Sequence, residues 1–315
     1  MESGLVTTII PVYNRAAMLE TAVASVLAQT YRPIEIAIVD DGSTDGTAAA
    51  VDRLAREHPE VRALHQPNGG PGAAREAGRR AARGEFIQHL DSDDVLLPRK
   101  FELQVAALRA HPECGAAYAI TAWRHRDGSV DSKPWARSGE RFETMFPAML
   151  RSRFWATTSA LYRAALLESI GPWLPLRMEE DWEYDARLAA VGVRLCFVDE
   201  VLSEQRSHSD ASLSGHHTPA TLRDRAIAHE SIYHSARRAG IGNEAPEMQH
   251  FARELFLLAR QCGAAGLARE SRTLLQLARA ASGRRLDLTL YALLARVVGW
   301  RAAGRLASFA DRVRS

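Results

Sequence analysis

The sequence feature that most constrains the fold is an apolar run that ends in a cluster of carboxylates. Residues 86–90 predict a buried strand, and Asp91, Asp93 and Asp94 follow it directly. Three neighbouring acids repel one another, and each disfavours ionisation of the others unless a cation lies among them. Because oxygen ligands favour hard ions, the cluster predicts a Mg²⁺ or Mn²⁺ site. A single Asp-x-Asp motif, taken alone, more often forms a solvated turn and helix N-cap.

Two earlier apolar runs indicate that this strand belongs to a parallel sheet. Residues 5–12 are apolar and β-branched without alternation, which is typical of a parallel strand covered on both faces. We expect Pro11 to mark the point where this strand leaves the sheet. A helical pattern over residues 18–30 leads to a second strand, residues 34–39, and the three predict a right-handed βαβ unit. Acidic and small residues at positions 40–47 then follow, at the edge where open α/β sheets bind ligands.

A glycine-rich loop follows a third predicted strand, residues 61–65. The loop NGGPGAAREAG, residues 68–78, opens a helix, and backbone N–H groups at a helix start favour anions. Arg75 can add a bidentate phosphate contact. The loop is not a dinucleotide-binding fingerprint, because Arg75 stands at the third glycine position and the loop is not in the first βα turn. A plain turn and helix cap is an equal alternative.

The second half of the chain contains another acidic stretch and a histidine. Residues 177–185 read RMEEDWEYD and begin a helix that we expect to run to Val191. Acids at a helix start commonly compensate the helix dipole, but Asp181 and Asp185 also share a face. Residues 195–198 and 201–208 each predict a strand, and the second ends at His208. A lone histidine is more often a core or surface residue than a ligand.

From residue 219 the sequence consists of amphipathic stretches rich in Ala, Leu and Arg, which predict two to four helices. The net charge of +2 over 315 residues predicts no nucleic-acid partner. Three distant cysteines fit neither a disulfide framework nor a zinc site, and they suit a reducing cytosol. The chain shows neither a basic secretory signal nor a run of 18 apolar residues.

Six segments, taken in order, resemble the inverting glycosyltransferases of family 2, which adopt the GT-A fold. They are IIPVYNRAAMLETAVASVLAQTY, IEIAIVDDGSTDGT, NGGPGAAREAG, GEFIQHLDSDDVLLPRK, EEDWEYDARLAAVG and RSHSDASLS. The resemblance implies an α/β catalytic domain over residues 1–218, with a mixed, mostly parallel sheet flanked by helices. Within it, residues 1–110 would bind the nucleotide sugar and residues 111–218 the acceptor. Residues 219–315 would form an α-helical C-terminal extension that matches no family we can name.

The same resemblance implies a role for individual residues that bind the donor. Pro11 and Tyr13 correspond to residues that flank the nucleotide base, and Asp41 to the carboxylate that hydrogen-bonds the base, commonly uracil. Arg75 corresponds to the basic residue of the glycine loop, although the next residue, usually Asn in this family, is Glu76 here. The remaining donor-binding positions are Asp91 and Ser92 of the Asp-x-Asp motif.

Three further residues of the resemblance concern the metal and the chemistry. Asp93 corresponds to the metal-binding acid, His208 to a histidine that completes the metal shell in some members, and Asp181 to the catalytic base. The implied activity is metal-dependent transfer of a hexose from a nucleotide-diphospho-sugar, with UDP expected, to an acceptor hydroxyl by single displacement. A nucleotidyltransferase is one alternative, but it normally carries a glycine-rich loop after the first strand, where this chain reads PVYNRAAM. A non-catalytic nucleotide-sugar-binding module is the other.

The resemblance also implies partners and a location. The acceptor would be a glycan, a lipid-linked saccharide or another hydroxyl compound in cell-envelope or exopolysaccharide biosynthesis. We expect a cytoplasmic protein that contacts the inner face of the membrane through its arginine-rich C-terminal helices. The alternative is that these helices only cap the domain with a solvated arginine face. A homodimer contact is also expected in this region.

Overall fold

The computed structural model describes residues 1–208, 218–283 and 285–314. The end of the sixth motif, residues 209–214, lies outside these ranges. The described chain forms two compact units. The first comprises residues 1–145, 153–176 and 191–208, and the second comprises residues 146–152, 177–190 and those from 218 onward. The predicted domain boundary at residue 218 stays a prediction.

The first unit contains one mixed sheet whose strands occur in the order β3-β2-β1-β4-β7-β6-β8-β5. Strands β1 to β4 are parallel neighbours, as are β6 and β8, whereas β7 and β5 pair antiparallel with their neighbours. This confirms the mixed α/β sheet. The strands are β1 (Glu2–Val12), β2 (Ile34–Asp40), β3 (Val61–His65), β4 (Gly84–His89), β5 (Val95–Leu96), β6 (Cys114–Arg124), β7 (Ala160–Arg163) and β8 (Arg194–Arg206).

Five helices accompany the sheet in the first unit. They are α1 (Ala16–Leu27), α2 (Thr47–Glu57), α3 (Pro71–Ala81), α4 (Lys100–Ala110) and α5 (Ala164–Ile170). Apolar side chains of β1, β2 and β4 are buried together with those of α1, α2 and α4 in one hydrophobic cluster. Burial of apolar surface on both faces explains why these strands lack the alternation of a half-exposed strand.

Two predicted details of the strands are wrong. Pro11 does not mark the end of pairing, because β1 continues to pair with β2 through Val12. The carbonyl of Ile9 accepts a hydrogen bond from Leu90 on the β4 side, and the β1–β4 pairing ends at Ile9. Pro11, two residues further along the strand, faces that same unpaired side, where its missing N–H costs nothing. The two strands predicted over residues 195–208 are the single strand β8, whose pairing with β6 passes through register shifts.

The second unit is helical. It contains α6 (Glu180–Ala190), α7 (Pro219–Arg238), α8 (Pro246–Ala264), α9 (Ala268–Ser282), α10 (Leu286–Val298) and α11 (Trp300–Arg314), together with a 3-10 helix at Ala148–Leu150. Five helices therefore lie in the described residues from 219 onward, where two to four were predicted. The missed boundary is Gly299, whose φ of +82° is left-handed and ends α10. Within the described ranges, none of the helices is long and apolar enough to cross a bilayer.

Candidate active site

The candidate site of the first unit lies at the carboxyl ends of β1, β2 and β4, where the loops after these strands are tied together. The backbone N–H of Asn14 donates to Ser43 Oγ at 3.0 Å, and that of Arg15 donates to Thr47 Oγ1 at 2.9 Å. These bonds join the loop after β1 to the loop after β2. Tyr13, directly before Asn14, is 46% exposed, so its ring is available to a ligand.

Asp41, at the end of β2, is buried and holds the start of the glycine loop. Its Oδ1 accepts hydrogen bonds from Gln66 Nε2 at 2.7 Å and from Gly69 N at 2.8 Å, and its Oδ2 accepts one from Gly70 N at 2.8 Å. A carboxylate has about four acceptor positions, so one position on Oδ2 is left for a ligand. The predicted contact between Asp41 and a nucleotide base stays a prediction.

Arg75 connects the glycine loop to the Asp-x-Asp motif. The loop ends at Gly70, whose φ of +89° is left-handed, and Pro71 begins α3. One turn later Arg75 Nη2 donates to Asp91 Oδ1 at 2.7 Å, and its guanidinium carbon lies 5.2 Å from the ring centre of Trp173. The structure therefore brings two predicted donor-binding residues, Arg75 and Asp91, into direct contact.

Glu76, which replaces the usual Asn of the family, fixes the segment that carries Trp173. Its carboxylate is mostly buried and accepts from Arg79, from Arg80 and from the backbone N–H of Trp173. Burial opposes its ionisation, but the hydrogen bonds from the two arginines outweigh burial and lower the pKa of Glu76. Glu76, at the position where the family usually has Asn, thus helps to hold the Trp173 ring against the guanidinium of Arg75.

Asp93, after β4, meets two residues that are far away in the chain. His208 Nε2, just beyond β8, lies 2.8 Å from Asp93 Oδ2. Nη1 of Arg15, from the loop after β1, forms an ion pair with the same oxygen and lies 3.4 Å from His208 Nε2. The structure thus brings together both predicted metal ligands and a cation between them. Arg15 was not predicted as a site residue, although its position two residues after Tyr13 placed it at this edge of the sheet.

The remaining acids of the motif differ in their surroundings. Asp91 and Ser92 form the turn after β4, closed by a hydrogen bond from Asp94 N to Asp91 O at 3.1 Å. The Asp94 side chain is buried and accepts from the backbone N–H of Arg206 at 3.2 Å. Burial, reinforced by the charges of Asp91 and Asp93, raises the pKa of Asp94 well above its usual value. The repulsion that the sequence predicts among these acids is therefore present, and the predicted metal ion stays a prediction.

The described residues contain no group of three or more His, Cys, Asp or Glu side chains that could hold a metal ion by themselves. Asp93 and His208 nevertheless offer two converging donor atoms. Mg²⁺ is commonly held by one or two protein ligands together with substrate phosphates and water, so the pair fits such an ion. Arg15 occupies the point where both donors converge, and it has to move aside for an ion to bind there.

Asp181, the predicted base, belongs to the second unit and lies in the first turn of α6. Its Oδ1 accepts a hydrogen bond from the backbone N–H of Trp182 at 2.7 Å. The residue two positions earlier, Glu179, has a left-handed φ of +58°. The start of this helix is therefore an unusual backbone conformation that the sequence pattern did not reveal.

Comparison with known proteins identifies relatives of part of this chain. The sequence model "Glycosyl transferase family 2" matches residues 7–171, about half of the chain. The uncharacterized glycosyltransferase alr2836 of Nostoc sp. is 33% identical over 177 residues, which is 55% of each chain. The chain thus spans about half the length of this curated relative.

Solved structures share the fold over most of the chain. Residues 1–349 of S. aureus TarS, solved with UDP-GlcNAc, superpose with a TM-score of 0.63 at 17% identity, covering 93% of this chain and 92% of that one. The mannosyltransferase PcManGT of Pyrobaculum calidifontis, solved with GDP-Man and Mn²⁺, gives a TM-score of 0.53 at 23% identity and covers 97% of this chain and 87% of that one. At these identities the likeness establishes the fold, which is of the GT-A type.

Proposed function

The chain belongs to glycosyl transferase family 2, and we propose that it is a metal-dependent, inverting hexosyltransferase that uses a nucleotide-diphospho-sugar. The observation that carries the proposal is the convergence of Asp93, His208 and Arg15 at the ends of β1, β4 and β8. Carboxylate, imidazole and guanidinium meet there beside the glycine loop. Such a set can hold a cation and a diphosphate side by side.

UDP is the proposed nucleotide of the donor. Its support is the likeness in fold to TarS, which has been solved with UDP and with UDP-GlcNAc. Asp41 presents a carboxylate oxygen with an open acceptor position, which suits an N–H of a base such as uracil. Tyr13 offers an exposed ring for stacking on the base, and Pro11 precedes it by two residues, in β1. PcManGT, solved with GDP-Man, makes GDP the alternative.

Asp93 and His208 are the residues that would hold Mg²⁺ or Mn²⁺. When bound, the ion supplies Lewis-acid neutralisation of the diphosphate leaving group. Asp91 and Ser92 are proposed to contact the donor ribose from the turn after β4. Arg15 and Arg75 add two positive charges to this edge of the sheet, which favours an anionic ligand.

Asp181 is proposed as the base that takes the proton of the acceptor hydroxyl. A hydroxyl is a weak nucleophile until a carboxylate accepts its proton. Single displacement then inverts the anomeric carbon, and no covalent enzyme intermediate forms. We expect Asp181→Asn to abolish transfer and to leave donor binding nearly unchanged; a variant with full activity would show that Asp181 is not the base.

Donor binding and slow donor hydrolysis test the proposed function. UDP-, GDP- and dTDP-sugars are titrated by calorimetry with Mn²⁺ and with chelator, for the wild type and for Asp93→Asn. The proposal expects one nucleotide class to bind only with metal, and hydrolysis to disappear in the variant. Release of pyrophosphate from a nucleoside triphosphate and a sugar phosphate would instead show a nucleotidyltransferase. Binding without any turnover would show a binding module.

Contact with an anionic membrane is a further part of the proposal. Helix α10 buries Leu288, Tyr291 and Ala295 on one face, yet its other face exposes a second apolar stripe: Leu286 is 83% exposed, Leu290 64%, Leu293 51% and Val297 84%. A helix that is apolar on both faces normally has partners on both. Residues 284–315 contain seven arginines and two aspartates. Anionic lipid therefore suits both the positive charge of this region and its apolar stripe. A second copy of the region would be repelled by the same charge.

Vesicle sedimentation checks this surface. We expect the wild type to bind vesicles that contain anionic lipid and not zwitterionic vesicles, and we expect Leu290→Glu with Val297→Glu to abolish binding. Equal binding to both vesicle types, or a dimer in light scattering that the double substitution dissociates, would contradict the membrane assignment. We therefore propose a cytoplasmic protein that rests on the inner leaflet. It would act on lipid-linked or polysaccharide acceptors in envelope biosynthesis.

A further inference from the structure

The start of α6, which carries Asp181, has a conformation that its own sequence does not favour. Glu179 precedes the helix with a φ of +58°, in the left-handed region that side chains with a Cβ rarely occupy. Such a conformation persists only when surrounding contacts determine it. The contacts that do so come from α7.

Glu179 is held by two residues that lie one turn apart on α7. Arg225 Nε donates to Glu179 Oε1 at 2.8 Å, and His229 Nδ1 lies 2.9 Å from Glu179 Oε2. The side chain of His229 is 2% exposed, and those of Arg225 and Glu179 are 19% exposed. Burial opposes ionisation of Glu179, but the hydrogen bond from His229 and the charge of Arg225 lower its pKa. Glu179 is therefore ionised at neutral pH and hydrogen-bonded by Arg225 at Oε1, while His229 Nδ1 approaches Oε2 and also lies 3.0 Å from the backbone carbonyl oxygen of Arg225.

Contacts from α7 also reach residues on both sides of Glu179. The backbone N–H of Arg177 donates to Asp224 Oδ2 at 2.9 Å, and Ser231 Oγ donates to Glu183 Oε1 at 2.7 Å. The indole ring of Trp182 meets the ring of His229 edge-on, with ring centres 5.4 Å apart. Positions 177, 179, 182 and 183 thus all contact one helix, and Asp181 lies among them in the chain.

Helix α7 begins at Pro219, well beyond residue 171, where the match to the family model ends. We propose that Arg225 and His229 are positioning residues for the catalytic base: by fixing Glu179 they set the backbone from which Asp181 projects. This inference rests on the proposed function, because it takes Asp181 as the base. It makes the C-terminal helices part of the catalytic apparatus, whereas the sequence predicted an extension that contacts the membrane or caps the domain.

The physical reason is the sensitivity of proton transfer to geometry. A carboxylate displaced by about 1 Å can lose about a hundredfold in rate while the fold and the donor site stay intact. A residue that positions the base should therefore change kcat and leave donor affinity alone. A residue that only stabilises the fold would change the melting temperature without this selectivity.

The experiment compares Arg225→Met with Arg225→Lys, His229→Leu and a control on the same helix, Arg223→Gln. Arg223 is 56% exposed and pairs only loosely, at 3.6 Å, with Glu270. Donor hydrolysis gives kcat, calorimetry with the selected nucleotide sugar and Mn²⁺ gives its Kd, and amide hydrogen exchange follows residues 179–183. We expect Arg225→Met and His229→Leu to lower kcat by about tenfold or more, to leave Kd within about twofold and to speed exchange at the start of α6. Arg225→Lys should restore part of kcat, and Arg223→Gln should match the wild type.

A double-substitution cycle completes the test. If Arg225 acts through Glu179, adding Arg225→Met to Glu179→Gln should lower kcat no further than Glu179→Gln alone. Additive effects, unchanged exchange at residues 179–183, or losses of kcat and of donor affinity in parallel would each overturn the inference. A wild type without turnover, or an Asp181→Asn variant with full turnover, would instead refute the proposed function, and the exchange data would still report whether α7 holds the start of α6.

Discussion

Replacing Asp41 with Asn should destabilise the first unit although the two side chains have the same shape. Asn can keep Oδ1, which accepts from Gln66 and Gly69, but it places an NH₂ group opposite the backbone N–H of Gly70. That N–H is buried and would then face a second donor. A hydrogen bond to a charged group contributes about 1.5–3 kcal/mol, so we expect the free energy of unfolding to fall by about 2 kcal/mol.

Urea denaturation followed by circular dichroism measures this loss, and Asp199→Asn is the matched control. Asp199 forms an exposed pair with Arg141 at 3.4 Å, and such pairs contribute little, so its replacement should change stability by less than about 0.5 kcal/mol. If Asp41→Asn were as stable as the wild type, the carboxylate would not hold the glycine loop. A stable variant that fails to bind the donor would assign Asp41 wholly to the nucleotide.

Gly72→Ala should unfold or severely destabilise the first unit in the same assay, because an added Cβ would lie 2.1 Å from the carbonyl oxygen of Leu174. A stable variant would refute the close approach of Gly72 to the backbone of Leu174. Lys100 is buried, and burial lowers its pKa well below 10.5. Below pH 10.5 the unfolded chain therefore binds more protons at Lys100 than the folded chain does, so the free energy of unfolding of the wild type should rise with pH. The stability gained by Lys100→Met, which removes the buried amine, should then shrink between pH 7 and pH 10, by at most about 1.4 kcal/mol per pH unit. A difference that does not change with pH would contradict this expectation. Arg15→Gln should tighten binding of Mn²⁺ without nucleotide by about tenfold, because Arg15 pairs with Asp93, and an unchanged calorimetric affinity would show no competition.

Much of the first unit could be predicted from local patterns. Strand β3 was predicted with its observed bounds, and β2 was within one residue at each end, because apolar runs report burial directly. Family motifs placed Asp41, Asp93 and His208 at one edge of the sheet for the same reason: each follows a strand. The break at Gly299 and the single strand β8 were missed because helix ends and register shifts depend on contacts outside the local window.

The partners of the candidate residues could not be predicted in the same way. Glu76 departs from the usual Asn of the family, and only the fold shows that it holds the backbone of Trp173, 97 residues away. The role of α7 was equally hidden, because amphipathic periodicity shows that a helix buries one face but not which residues that face contacts.

The sequence by itself determined the class of the fold, the family and the acids and glycines that end the strands, because these depend on residue type and spacing. Only the tertiary structure decided that Arg15 lies between Asp93 and His208, which are 78 and 193 positions away from it in the chain. It also decided that Glu179 is held by Arg225 and His229. The reason is that strand order, register and helix packing are cooperative properties of the whole chain, and side chains far apart in sequence meet only after these are set.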